Sequence, residues 1–313
     1  MNRKLPDYLV LGAKGMAMGA ADVIPGVSGG TIAFITGIYE ELINSIKSVN
    51  ASLFRTLFRE GIAAAWKQLN GNFLVAVFSG ILISIFSLAR LISWLLTNHQ
   101  MLVWAFFFGL IIGSAIFVGK KIKKWNTLTV LMLLAGTTLA YYITIATPAT
   151  TPEALWFIFI SGGVAICAMI LPGISGSFIL LLMGKYEYIL TAVKEFNAMV
   201  LLVFGLGCVT GIIAFSNIIA WLFRKFHNAT LALLTGFMIG SLNKLWPWKQ
   251  VVEERLNSHG ELVPFLEQSI SPARFVELTG QSTLMLPILV CALAGLLLIF
   301  VFEKLTHGVD EKA

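Results

Sequence analysis

An apolar chain that is broken twice by the same turn has few folds open to it. Here Pro25-Gly26-Val27-Ser28-Gly29 returns 147 residues later as Pro172-Gly173-Ile174-Ser175-Gly176. The match runs on in register: ten of the 26 positions from Pro25 to Asn50 are identical at that offset (Pro25, Gly26, Ser28, Gly29, Ile32, Gly37, Tyr39, Glu40, Lys47 and Asn50). Proline and glycine interrupt a helix interior, so each copy divides a hydrophobic run into two arms. Interrupted apolar segments at matching positions predict a chain made of two copies of one unit, with a ligand site near the breaks.

Composition fixes the solvent. Of 313 residues, 58% are hydrophobic and 12% charged, against about 25% charged in soluble domains. An integral membrane protein follows. The net charge of +6 sits in short loops between apolar segments, which argues against a nucleic-acid partner. Cys167, Cys208 and Cys291 lie inside apolar runs without disulfide or metal spacing. None of the four histidines stands at ligand spacing from a cysteine or carboxylate, so no metal is expected. Leu9–Ala21, broken by Lys14, does not read as a cleaved signal.

About 20 helical residues cross a hydrocarbon core of roughly 30 Å. The first repeat, 1–147, reads as a hairpin over 9–43, an amphipathic interfacial stretch over 52–71, and spans at 73–96, 101–118 and 128–147. The second, 148–313, reads as a hairpin over 155–193 and spans at 199–223, 230–245 and 284–302, with an extracytoplasmic loop at 249–282. The hairpin arms are mostly short for a full crossing, so re-entrant hairpins are expected. Past the hairpins the offset falls to 127: Gly109–Ser114 matches Gly236–Ser241, Gly80 meets Gly207, Trp94 meets Trp221, and Arg90 meets Asn217. A hairpin plus three spans crosses an odd number of times, so the second copy is inverted relative to the first. With the N-terminus cytoplasmic, fifteen basic residues lie inside and six outside, and both termini are cytoplasmic.

The breaks carry the candidate chemistry. A helix that starts at such a turn aims free N–H groups and its positive end at the tip, which suits an anion. Pro25, Gly26, Ser28, Gly29, Gly30 and Thr31 form the first candidate tip, and Pro172, Gly173, Ser175, Gly176 and Ser177 the second. Packing alone would explain one Pro-Gly turn; its recurrence in inverted halves favours a site. Arg90, inside an apolar span, is a costly charge in lipid, and its partner Asn217 is also polar; together they read as a headgroup clamp. Asp22 offers a helix cap, a partner for Arg90, or a coupling proton site. Glu40 and Glu187, in the shared Gly-x-Tyr-Glu motif, are further coupling candidates, with interfacial anchoring the plainer reading. Gly26-Val-Ser-Gly-Gly30 has the form of a serine nucleophile elbow, yet no histidine lies in a later span to act as base. No enzyme is expected.

The motifs Gly19-Ala-Ala-Asp-Val-Ile-Pro-Gly-Val-Ser-Gly-Gly-Thr31, Gly37-Ile-Tyr-Glu40 and Leu171-Pro-Gly-Ile-Ser-Gly-Ser177 resemble the PopT family of polyprenyl-phosphate transporters, over nearly the whole chain. The resemblance implies an all-α inverted-repeat fold with two re-entrant hairpins, comparable with the DedA transporters. It also implies return of undecaprenyl phosphate from the outer to the inner leaflet of the bacterial cytoplasmic membrane. No cofactor is expected, and any energy source is an ion gradient or the membrane potential. The alternatives are a secondary transporter of a small soluble anion and a non-transporting scaffold for envelope synthesis.

Overall fold

The computed structural model describes residues 3–24, 27–149, 151–256 and 262–310. The chain is mostly helical. α1 (Leu5–Asp22), α2 (Gly29–Ile35) and α3 (Tyr39–Lys47) make the first hairpin, followed by α4 (Ala51–Glu60) and α5 (Ile62–Leu69). Next come α6 (Gly71–Asn98), α7 (Gln100–Lys120) and α8 (Thr127–Ile145). The second hairpin is α9 (Leu155–Ile170), α10 (Gly176–Leu182) and α11 (Tyr186–Lys194). α12 (Ala198–Lys225) and α13 (His227–Ser241) then lead, through a 3-10 turn over Leu242–Leu245, into a small β-hairpin of β1 (Lys249–Leu256) and β2 (Leu262–Ser269). α14 (Pro272–Thr279) and α15 (Met285–Asp310) complete the chain.

Polar side chains set the helix starts that apolar periodicity leaves open. Asn50 and Asn197, repeat partners in the sequence, cap α4 and α12 by accepting from Ser52 N (2.8 Å) and Val200 N (3.3 Å). Asn126 caps α8 through Thr129 N at 2.9 Å. α4 and α5 are separated at Gly61, whose φ is 88°. They expose Phe54, Phe58, Ile62 and Trp66 beside Arg55, Arg59 and Lys67.

Among the described residues, four helices are long and apolar enough to cross a bilayer, α6, α7, α8 and α12, and five spans result if the bent pair α10–α11 counts as one. The run 230–245 falls short of the expected span. Its α-helix stops at Ser241, so it is about 22 Å long at 1.5 Å per residue. α15 runs from Met285 to Asp310, 26 residues, with Met285–Val301 as its apolar part among the described residues. Two further features depart from the sequence reading. Each returning arm is split at a left-handed glycine, Gly37 (φ 76°) or Gly184 (φ 62°), and α10 meets α11 at 109°. The polar stretch after Trp248, expected as a loop over 249–282, holds a β-hairpin followed by α14.

Glycine lets the long helices touch backbone to backbone. A Cβ on Gly15 would meet the Val77 carbonyl, and one on Gly80 the Gly12 carbonyl, where α1 packs along α6. In α9 and α12, Gly162 meets Phe204 and Gly207 meets Phe159 in the same way. α7 packs on α15 through Gly109 against Ala292 and Gly295 against Phe106, and α8 on α13 through Gly236 against Leu133 and Gly136 against Leu233. Along each pair the contacts climb together, from Gly12 on Ala76 to Gly19 on Ile81, Gly207 on Phe159 to Gly211 on Gly163, Gly109 on Ala292 to Gly113 on Leu296, and Gly236 on Leu133 to Gly240 on Thr137, so the paired helices run parallel. α7 and α13 form the buried centre, while α6, α12 and α15 expose large apolar side chains outward.

Candidate functional site

Each hairpin returns to the end from which it started. Arg3, just before α1, forms a two-pronged ion pair with Glu41 of α3 (2.6 Å), and Asn70 donates to the same carboxylate at 2.8 Å. In the second hairpin, Ala149 N donates to Leu182 O (2.8 Å) and Lys185 Nζ to Thr151 O (3.0 Å), tying the end of α10 to the segment entering α9. Their tips meet inside the protein. Ser28 Oγ donates to Met169 O at 2.7 Å, and Gly173 N donates to Thr31 Oγ1 at 2.9 Å. A Cβ on Gly30 would run into the Ile170 carbonyl, so glycine there is a condition of the contact.

The first tip is closed by the protein's own groups. Ser28, in extended backbone, is the N-cap of α2 and accepts from Gly30 N at 3.0 Å. Asp22, the last residue of α1, accepts from Gly29 N at 2.6 Å, and Thr31 N donates to Ser28 O at 2.9 Å. Of the three roles open to Asp22, the structure displays the cap: its carboxylate already holds the place an external anion would take. Ser28, Gly29, Gly30 and Thr31 are all buried. Pro25 and Gly26 lie outside the described residues.

The second tip is more open. Gly173 takes φ 88° where its backbone presses against Phe237 and Ser241 of α13. Pro172, Ser175 and Gly176 are buried, but Ser177 is exposed and its Oγ lies 2.7 Å from Ser175 Oγ. Arg90 and Asn217 do not join the tips. Both are exposed, and Asn217 Nδ2 donates to Ile213 O of its own helix at 2.8 Å. Asp22 lies one turn beyond Gly19, which packs on Ile81 and Ser84, so Arg90 stands on α6 just past the level of the first tip. Glu40 and Glu187 open the helices that follow the glycine elbows; Glu40 is exposed and lines a cleft of about 90 Å3 with Asn44, Phe223 and Arg224.

Several polar groups near these elements escaped the sequence reading. Ser84 Oγ and Tyr39 Oη are buried without a hydrogen bond to a described residue, Ser84 beside Gly19 and Tyr39 at the elbow. The Gly-x-Tyr-Glu repeat was the signal for the second. At the other end, Lys249 is buried against Trp104, its Nζ 3.5 Å from the ring centroid, and burial pushes its ammonium down to about 8 against the pull of Glu267. Lys244 stands 4.7 Å over the Phe178 ring, next to Ser177. Along α1 and α6, a sideways-open apolar groove of about 600 Å3 is lined by Leu9, Gly12, Met16, Ala76 and Gly80, with Tyr8, Trp66 and Asn72 as polar members.

Comparison with known proteins gives a consistent result. Residues 18–263 match the family described as VCA0040-like, undecaprenyl phosphate translocase-like. A Vibrio cholerae protein named polyprenyl-phosphate transporter is 49% identical over 304 residues, covering 97% of this chain and 99% of that protein. A Staphylococcus aureus protein of the same name is 34% identical over 252 residues, covering 75% of this chain and 84% of its own. No solved structure matches the chain. With the doubled turn inside a match of this extent, the chain is a member of the VCA0040-like, undecaprenyl phosphate translocase-like family.

Proposed function

We propose that the chain is a non-enzymatic carrier that returns a polyprenyl phosphate, undecaprenyl phosphate in its native setting, from the outer to the inner leaflet of a bacterial cytoplasmic membrane. The observation that carries this reading is the interlocking of two broken-helix tips inside a protein whose relatives are named polyprenyl-phosphate transporters. A phosphate crossing hydrocarbon needs polar groups at depth, while its isoprenoid tail needs a lateral opening to lipid. The tips supply the former, and the apolar groove along α1 and α6 is suited to the latter.

The two halves act as inverted repeats in this reading. Support comes from packing: Gly15 on Val77 and Gly162 on Phe204 occupy repeat-equivalent positions, as do Gly109 on Ala292 and Gly236 on Leu133. The shared contacts, taken in exchanged order, are what a two-fold relation between halves requires. Alternating access then follows from moving one hairpin against the other, which breaks the bonds between the tips. Opening the first tip frees Gly29 N once Asp22 swings away, and the incoming phosphate replaces that carboxylate. Arg90, exposed on α6 near that level, meets the headgroup as it arrives from the bilayer, and Asn217 has the matching place in the second half. Asp22, Glu40 and Glu187 remain the groups for ion coupling. Both termini face the cytoplasm.

The test is translocation of radiolabelled polyprenyl phosphate in vesicles containing the purified protein. Movement between leaflets is the expected result, and transport of inorganic phosphate with the lipid left in place overturns the assignment. Arg90→Ala is expected to weaken binding of a short-chain polyprenyl phosphate about tenfold or more, as for loss of a charge-assisted contact. Arg90→Lys restores part of it, because an ammonium lacks the two-pronged geometry. Unchanged binding in Arg90→Ala removes the clamp role.

A further inference from the structure

We propose that Lys244 and Ser177 form a docking site for a lipid phosphate monoester at the outer mouth of the second tip; the inference rests on the transport reading above. Lys244 lies in the 3-10 turn after α13, three residues beyond Ser241, which packs on Gly173 of the tip. Its Nζ sits 4.7 Å over the ring of Phe178, the residue after Ser177. A cation and an exposed hydroxyl are thereby brought to one edge of the hairpin.

Charge at this edge is unbalanced. Lys244 and Lys249 both face the same oxygen of Glu267, at 3.7 and 3.4 Å. Two ammonium groups share one carboxylate, which leaves a surplus positive charge among the described residues. The two lysines differ in their remaining contacts. Lys249 is 6% exposed, donates to Lys244 O at 2.8 Å and lies over Trp104, so its place is fixed. The Lys244 side chain is 20% exposed, and its ammonium donates no hydrogen bond to a described residue. Its donors remain for a ligand with strong acceptor oxygens, and a phosphate monoester supplies three.

Two observations point to a lipid rather than a free ion. Trp246, two residues beyond Lys244, is partly exposed with its indole N–H bonded to Ile270 O (2.8 Å), the place of an aromatic at a membrane interface, while Trp248 packs edge-on against it, buried. Phe178 and Leu181 continue the wall as partly exposed apolar side chains into the hydrophobic zone. A headgroup anchored at Lys244 would keep its tail along that wall. The site has no twin: the repeat-equivalent positions in the first half are Phe117 and Gly30. Capture is therefore built into one face only, the face carrying the β-hairpin.

The experiment uses the full chain in nanodiscs with three probes: farnesyl phosphate, farnesol and inorganic phosphate. Lys244→Gln is expected to weaken farnesyl phosphate about tenfold or more and leave farnesol unchanged, Lys244→Arg to keep most of the affinity, and Glu267→Gln to raise it. Unchanged farnesyl phosphate affinity in a folded Lys244→Gln protein overturns the inference while leaving the transport reading intact. So does equal loss of thermal stability in Lys244→Gln and Glu267→Gln without change in binding, which makes the ion pair a strut for the β-hairpin. Inorganic phosphate bound as tightly as farnesyl phosphate overturns the lipid assignment. Wild-type protein that binds no farnesyl phosphate brings down the transport reading itself.

Discussion

Thr31 shows how much can depend on one hydroxyl. Its Oγ1 is the acceptor for Gly173 N, a donor buried between α2 and α13. Replacing Thr31 by Val keeps the shape and removes the acceptor, and a buried donor left unpaired costs about 1–3 kcal/mol. Thr31→Ser retains the oxygen and is expected to lose little. Thermal unfolding of the purified variants separates the two, and equal shifts would mean that the hydroxyl bond contributes nothing. Both residues were legible in the sequence as members of the repeated turn. Their partnership was not, because 142 residues separate them and no spacing rule says which atoms of two turns meet. Asp22 stood three residues before the break, where a cap was one of its readings, but only the fold shows that its carboxylate fills the first tip. Arg90 illustrates the opposite limit. A charge in an apolar run announces itself, while the face it occupies depends on how α6 packs.

At the scale of elements, the glycine pairs explain why some apolar helices sit so close together. Gly109–Ser114 and Gly236–Ser241 fixed the repeat register in the sequence. In the fold the same glycines are the contact faces of α7 on α15 and α13 on α8. Gly109→Val and Gly236→Val force side chains into backbone carbonyls, and such overpacking costs about 1–3 kcal/mol. Gly119→Ala has open space around it and is expected to change little. Comparable losses at all three positions would contradict the close-contact account. The hairpins and the long spans were readable because apolar length and proline breaks are local signals. The elbows were not read: Gly37 and Gly184 open the shared Gly-x-Tyr-Glu motif, but only their left-handed backbone reveals the turn. β1 escaped as well: Lys249-Gln-Val-Val-Glu-Glu-Arg-Leu256 has no alternation of apolar and polar residues to mark a strand.

For the whole molecule, the question is whether the second half is upside down relative to the first. Between the hairpins lie α6, α7 and α8, about 42, 31 and 28 Å long at 1.5 Å per residue, each enough to cross or nearly cross a roughly 30 Å core. If all three cross, the entry to the second hairpin lies on the face opposite the entry to the first. Two exposed positions report on this: Arg59 in α4, after the first hairpin, and Glu153, just before the second. Glu277 in α14 is a third, on the face assigned to the β-hairpin. Cysteines introduced at each, after replacing Cys167, Cys208 and Cys291, can be probed with a membrane-impermeant maleimide. Serine is the replacement of choice at Cys167 and Cys208, whose thiols donate to Gly211 O and Gly162 O. Intact cells are expected to label Glu153→Cys and Glu277→Cys and to protect Arg59→Cys until the membrane is opened. Protection of Glu153→Cys together with Arg59→Cys would mean an even number of crossings between the hairpins. The halves would then share one orientation, and the tips could no longer present a phosphate to opposite leaflets in turn.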